Sequence, residues 1–149
     1  MQYIQNLLRE VSSKESENLE EEIDLVLLKQ SMGSFVLEFG EAEVWRCDPT
    51  LYVKIPLFAT GRVLSEEGKP PAEVKADLLT LFTRIPPFLS QALKNLSTPA
   101  EISVEVALNM ARDALHFYDQ SIPAFIREKV GEDEELLMES RAVSEAWNI

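Results

Sequence analysis

Phe35-Val36-Leu37-Glu38-Phe39-Gly40-Glu41-Ala42-Glu43-Val44-Trp45-Arg46-Cys47-Asp48-Pro49-Thr50-Leu51-Tyr52-Val53-Lys54-Ile55-Pro56-Leu57-Phe58 is the stretch on which the fold class turns. Phe35, Leu37 and Phe39 alternate with Val36 and Glu38, the period of two that puts successive side chains on opposite faces of a strand. Gly40-Glu41-Ala42 is short enough for a hairpin loop. Residues 43–47 supply a second strand, and Asp48-Pro49-Thr50 carries residue types that suit the first positions of a turn. Residues 51–58 form a third strand, with Leu51, Val53, Ile55 and Leu57 on one face. Pro56 has no N–H to give to a ladder, so this strand lies at an edge or ends there. The expectation is a short three-stranded antiparallel meander.

Helices are predicted on both sides of it. Ile4, Leu7, Leu8 and Val11 form one apolar stripe and Leu19, Ile23, Val26, Leu27 and Gln30 another. Ser12, Ser13 and Ser16 favour a break between the two, and Gly33 ends the second. Gly61, Gly68, Pro70 and Pro71 make residues 60–71 read as an exposed connector. Pro71 then suits a first helical position before the stripe Val74, Leu78, Leu81 and Ile85. Pro86-Pro87 stops or bends that helix, and residues 88–96 form a shorter one.

Thr98-Pro99-Ala100-Glu101 has the composition of a capping box, so a helix begins there and runs to Tyr118 or beyond. The competing reading of residues 101–106 is a strand, because Ile102, Val104 and Val106 alternate with polar residues. Ser121 caps a further helix that ends at Gly131, or the preceding helix continues through a kink at Pro123. Gly131-Glu132-Asp133-Glu134-Glu135 opens a last acidic helix with Leu136, Leu137, Val143 and Trp147 on its apolar side. The fold class expected is therefore α+β: one domain over residues 1–149, with the meander packed against five or six helices.

The 149 residues include 26 acids and 14 Lys or Arg, a formal charge of −12. Residues 1–33 hold seven acids against three bases and residues 99–149 eleven against four, whereas residues 70–98 hold only Glu73 and Asp77 against Lys75, Arg84 and Lys94. That neutral middle reads as core. The charge disfavours nucleic acid and anionic membrane surfaces as partners. Cys47 is the sole cysteine, which excludes an intrachain disulfide and suits a reducing compartment. No signal-peptide pattern and no span-length apolar run occurs, so a cytoplasmic location is expected.

Chemistry is thinly represented. His116, the only histidine, has Asp113 three residues before it, one partial pair where a dinuclear carboxylate site needs several. Glu38, Glu41 and Glu43 cluster on the first hairpin, where edge charges discourage unwanted pairing. No nucleophile elbow and no phosphate loop is present. No catalytic, metal or cofactor residue is assigned. Large side chains on both faces of the meander instead suggest a contact surface made by Val44, Trp45, Tyr52 and Phe58. Such a face takes a partner helix, a second copy of the chain or an extended peptide at its edge, unless helices cover both faces.

A leading amphipathic helix, a short meander and then helices in a small acidic chain resembles the type III secretion chaperones. Residues 33–40, residues 51–58 and Ala114-Leu115-His116-Phe117-Tyr118-Asp119 carry the resemblance. It implies a non-enzymatic dimer that holds an effector's amino-terminal segment against apolar patches and strand edges. The family places two further strands where this chain has residues 88–96 and the Thr98 motif. The function expected is a dimeric protein-binding chaperone or adaptor. Two alternatives stand beside it: an acidic inhibitor that imitates nucleic-acid charge and binds a basic protein, and a carboxylate-dependent or metal-assisted enzyme.

Overall fold

Residues 35–58 are helical turns and helices joined by short breaks at residues 42–43 and 48–49. The computed structural model describes residues 2–147, and among them there is no strand, which overturns the α+β class and its three-stranded meander. Nine α-helices are described: α1 (Gln2–Ser12), α2 (Leu19–Val36), α3 (Val44–Cys47), α4 (Thr50–Ser65), α5 (Pro71–Phe82), α6 (Ile85–Asn95), α7 (Glu101–His116), α8 (Ile122–Lys129) and α9 (Glu134–Ala146).

The apolar runs at residues 35–39 and 51–58 are short, so each satisfies a period of 3.6 as well as a period of two. α2 passes through Gly33 and continues into a π-helical turn at Leu37–Glu41, which the Ala42 N–H closes on the Leu37 carbonyl at 2.8 Å. Glu43, with φ of 47°, then breaks the helical path. Asp48 starts α4: its Oδ1 accepts from the Thr50 N–H at 2.9 Å and from the Thr50 hydroxyl at 2.7 Å. Thr50, Val53, Pro56 and Thr60 are buried at spacings of three and four, the spacing of one helix face. α4 runs to Ser65, well into the stretch expected as a loop.

The chain forms two compact units, Met1–Val44 and Trp45–Ile149. The first is built on a hairpin of α1 and α2. Asn18 caps α2 by accepting from the Glu21 N–H at 2.9 Å, and Glu20, Glu21 and Glu22 in its first turn complement the helix dipole. Val11 and Met32 are its buried apolar residues.

The second unit is a helical bundle around α9, which packs against α5, α6 and α8. Leu78, Phe82, Ile122, Ile126, Leu136 and Val143 are fully buried there, each contributing about 1.5–3 kcal/mol by leaving water. The neutral segment of residues 70–98 supplies five members of this core: Val74, Leu78, Phe82, Ile85 and Leu89. α9 begins where Asp133 Oδ1 accepts from the Leu136 N–H at 3.0 Å, and Lys75 of α5 bridges Asp133 at 2.7 Å and Glu135 at 3.2 Å.

α7 begins at Glu101 and settles residues 101–106 as helix, but without the expected capping box: Ala100 is the cap and makes no side-chain bond. The Ser97 and Thr98 N–H groups turn instead to the Arg46 carbonyl at 3.0 and 3.4 Å. α7 leads through a π-helical turn (Phe117–Ser121) into α8, the kinked continuation rather than a Ser121 cap. Pro123 has no N–H for the Tyr118 carbonyl, the acceptor five residues back in that register. The fully buried Ser140 hydroxyl of α9 approaches that carbonyl at 3.5 Å.

Tyr118 is the polar centre of this unit. Its hydroxyl donates to the Pro56 carbonyl at 3.1 Å and meets Thr60 Oγ1 at 2.7 Å, linking the π-turn to α4. Burial pushes the phenol up to about 12, the Thr60 hydrogen bond opposing it.

Candidate binding groove

α7 packs on α4, while α6 packs on α9 and α4, and a trough remains between α6 and α7. Leu89, Ala92, Leu93 and Leu96 of α6 form one wall, and Val104, Ala107, Leu108 and Ala111 of α7 the other. Val53 of α4 and the end of α9 at Ala146 and Trp147 close it, with Pro49 and Pro99 at its margin. The groove has a volume of about 340 Å³, and no charged side chain lines it. Leu93 and Leu108 stand on its rim at 58% and 54% exposure.

The local sequence explains the opening. Ala92, Ala107 and Ala111 put small side chains where two larger ones would fill the trough, and Pro99 prevents α6 from running on into α7. Trp147 stacks on Tyr118 with ring centroids 5.9 Å apart. Its Nε1 is a buried donor with no acceptor among the described residues. A buried donor left unpaired is costly, about 1–3 kcal/mol.

The residues that sequence reasoning selected are scattered. Val44 belongs to the first unit and Trp45, Tyr52 and Phe58 to the second. Tyr52 is 6% exposed; its hydroxyl donates to the Trp45 carbonyl at 2.6 Å and accepts from Asn95 Nδ2 at 3.1 Å, and its ring tilts against Phe88. Phe58 is 74% exposed, turned about 240° from Tyr52 around α4. Val44 and Trp45 are half-buried, with the Arg46 guanidinium 5.7 Å from the Trp45 ring centroid. None of the four lines the groove.

Residues 33–40 and 51–58, quoted for the chaperone resemblance, are helices and turns, so the strand edges it implies do not exist among the described residues. Asp113 and His116 are both exposed on α7. Among the described residues no group of three or more His, Cys, Asp or Glu gathers in metal-binding proximity, and no helix is long and apolar enough to cross a membrane.

The groove residues were visible in the sequence only as parts of helical stripes. Leu93, Leu96, Val104 and Leu108 flank Pro99, and their sequence pattern is the same as that of core positions. No protein-family model, curated protein or solved structure matches the chain.

Proposed function

We propose that the chain is a non-enzymatic protein-binding adaptor whose second unit seats an apolar segment of a partner protein between α6 and α7. The uncharged groove carries this reading: in a chain of net charge −12, a 340 Å³ trough without a charged residue on its walls is a surface kept for apolar contact. An amphipathic helix laid along the trough would cover the rim residues Leu93 and Leu108 with apolar positions spaced three and four apart. The surrounding charge supports solubility and disfavours nucleic acid as the occupant.

Photocrosslinking in the native cell tests the proposal. A photoreactive residue placed at Leu93 or Leu108 should capture a protein, and Leu108→Glu should abolish capture from position 93 while the circular dichroism stays helical. The complex should persist as salt rises, because an apolar contact is not screened; one that dissolves steeply with salt would favour the acidic-inhibitor reading. Capture from position 58 with none from 93 or 108 would return the contact to the surface that sequence reasoning chose.

A further inference from the structure

α2 carries apolar residues on two opposite sides. At about 100° per residue, Leu25, the buried Met32 and Val36 fall together, on the side packed in the hairpin with α1. Leu19, Ile23, Val26 and Leu27 fall on the other side and are between 46% and 72% exposed. A hairpin can cover only one of these sides, so the second faces water along two helical turns.

The exposed side has the spacing of a coiled-coil seam. Leu19, Ile23, Val26, Gln30, Gly33 and Leu37 recur at alternating intervals of four and three, the core positions of a heptad. Glu22 and Lys29 lie one heptad apart on the same edge of the seam, with opposite charges, and neither has an ion-pair partner among the described residues. The acids of α2 are confined to Glu20, Glu21, Glu22 and Asp24, whereas residues 25–36 contain a single charge, Lys29.

We infer that this face pairs with the same face of a second copy of the chain, antiparallel about a two-fold axis. Antiparallel pairing sets Ile23 against Val26 of the second copy at the centre and Leu19 against its Gln30 at each end. The same register brings Glu22 opposite Lys29 of the second copy, twice by symmetry, so the surface complements itself in charge as well as shape. Parallel pairing would stack the two acidic first turns on each other. The inference concerns the first unit and is independent of the groove.

Light scattering on the full chain tests it. The wild type should have twice the 16.9 kDa chain mass. Ile23→Glu should give the single-chain mass with helical circular dichroism retained. Glu22→Lys should weaken the dimer about tenfold, and Glu22→Lys combined with Lys29→Glu should restore it, because the pair is re-formed with its signs exchanged. A wild type of single-chain mass, a dimer indifferent to Ile23→Glu, or a charge exchange that fails to rescue would each overturn the antiparallel pairing.

Discussion

Tyr118→Phe should reverse its effect on stability between neutral and alkaline pH. At neutral pH the variant loses a buried hydroxyl that donates to the Pro56 carbonyl and meets Thr60 Oγ1. The loss is modest, about 1 kcal/mol, because the freed Thr60 hydroxyl lies one helical turn after Pro56 and can donate to that carbonyl itself. At high pH the sign changes. Burial raises the folded phenol from 10.0 to about 12, so the wild type gains stability from its neutral phenol only while the unfolded phenol is neutral too. That contribution is fully present below about pH 10 and is lost as pH rises toward 12, a decline of roughly 2–3 kcal/mol.

Phenylalanine cannot ionise, so the variant does not share this decline. The two stability curves should cross near pH 11, where the ionisation loss of about 1.4 kcal/mol overtakes the hydrogen-bond gain. Urea unfolding followed by far-ultraviolet circular dichroism, repeated from pH 8 to 12, measures both curves. Lys69 and Lys75, held protonated by their carboxylate partners, also lose their contribution at high pH, but equally in both proteins. Curves that stay parallel to pH 12 would refute the buried, hydrogen-bonded placement of Tyr118.

Asp133 caps α9 and pairs with Lys75, whose hydrogen bond holds the carboxyl below its ordinary value of 3.8. Asp133→Asn keeps a capping oxygen and should lower the melting temperature less than Asp133→Ala. The wild-type advantage over Asp133→Asn is present above pH 3.8 and should fade as pH falls through the depressed folded value, which melts at pH 7 and pH 3 will reveal. Tyr52→Phe leaves the Asn95 donor and the Trp45 carbonyl without their shared partner and should cost about 1 kcal/mol in urea titrations. Phe58→Ala should change stability by less than about 0.5 kcal/mol, and a large loss would mean that Phe58 is not on the surface.

Local chemistry was legible where one residue decides the matter over three or four neighbours. The break after Ser12, the acidic first turn of α2, Pro71 at the start of α5 and Asp133 before the acidic turn of α9 all stand close to where the sequence placed them. Asp48-Pro49 suits a turn between strands and instead stands before α4, since an aspartate and a proline open a helix as readily as they make a turn. Thr98 had every feature of a cap and does not serve as one: α7 starts at Glu101 with Ala100 as its cap, and the Thr98 and Ser97 N–H groups are turned to the Arg46 carbonyl, 52 and 51 residues away.

By itself the sequence determined that residues 2–33 and 71–147 are mainly helical, where α5 and α9 begin, and that residues 70–98 supply core side chains, because capping and burial of an amphipathic stripe are short-range or compositional effects. It misplaced the end of α2 at Gly33, the cap at Thr98 and the role of Pro86-Pro87, which open α6. Only the tertiary structure decided residues 35–58. The short apolar runs at residues 35–39 and 51–58 suit strand and helix alike. For the second the choice rests on what receives it: α5 and α7 pack on α4, whose Val53 clusters with Ala107 and Ala114 of α7, and no strand occurs among the described residues. The groove has the same origin, since a space between α6 and α7 belongs to neither helix and exists only through what each packs against instead.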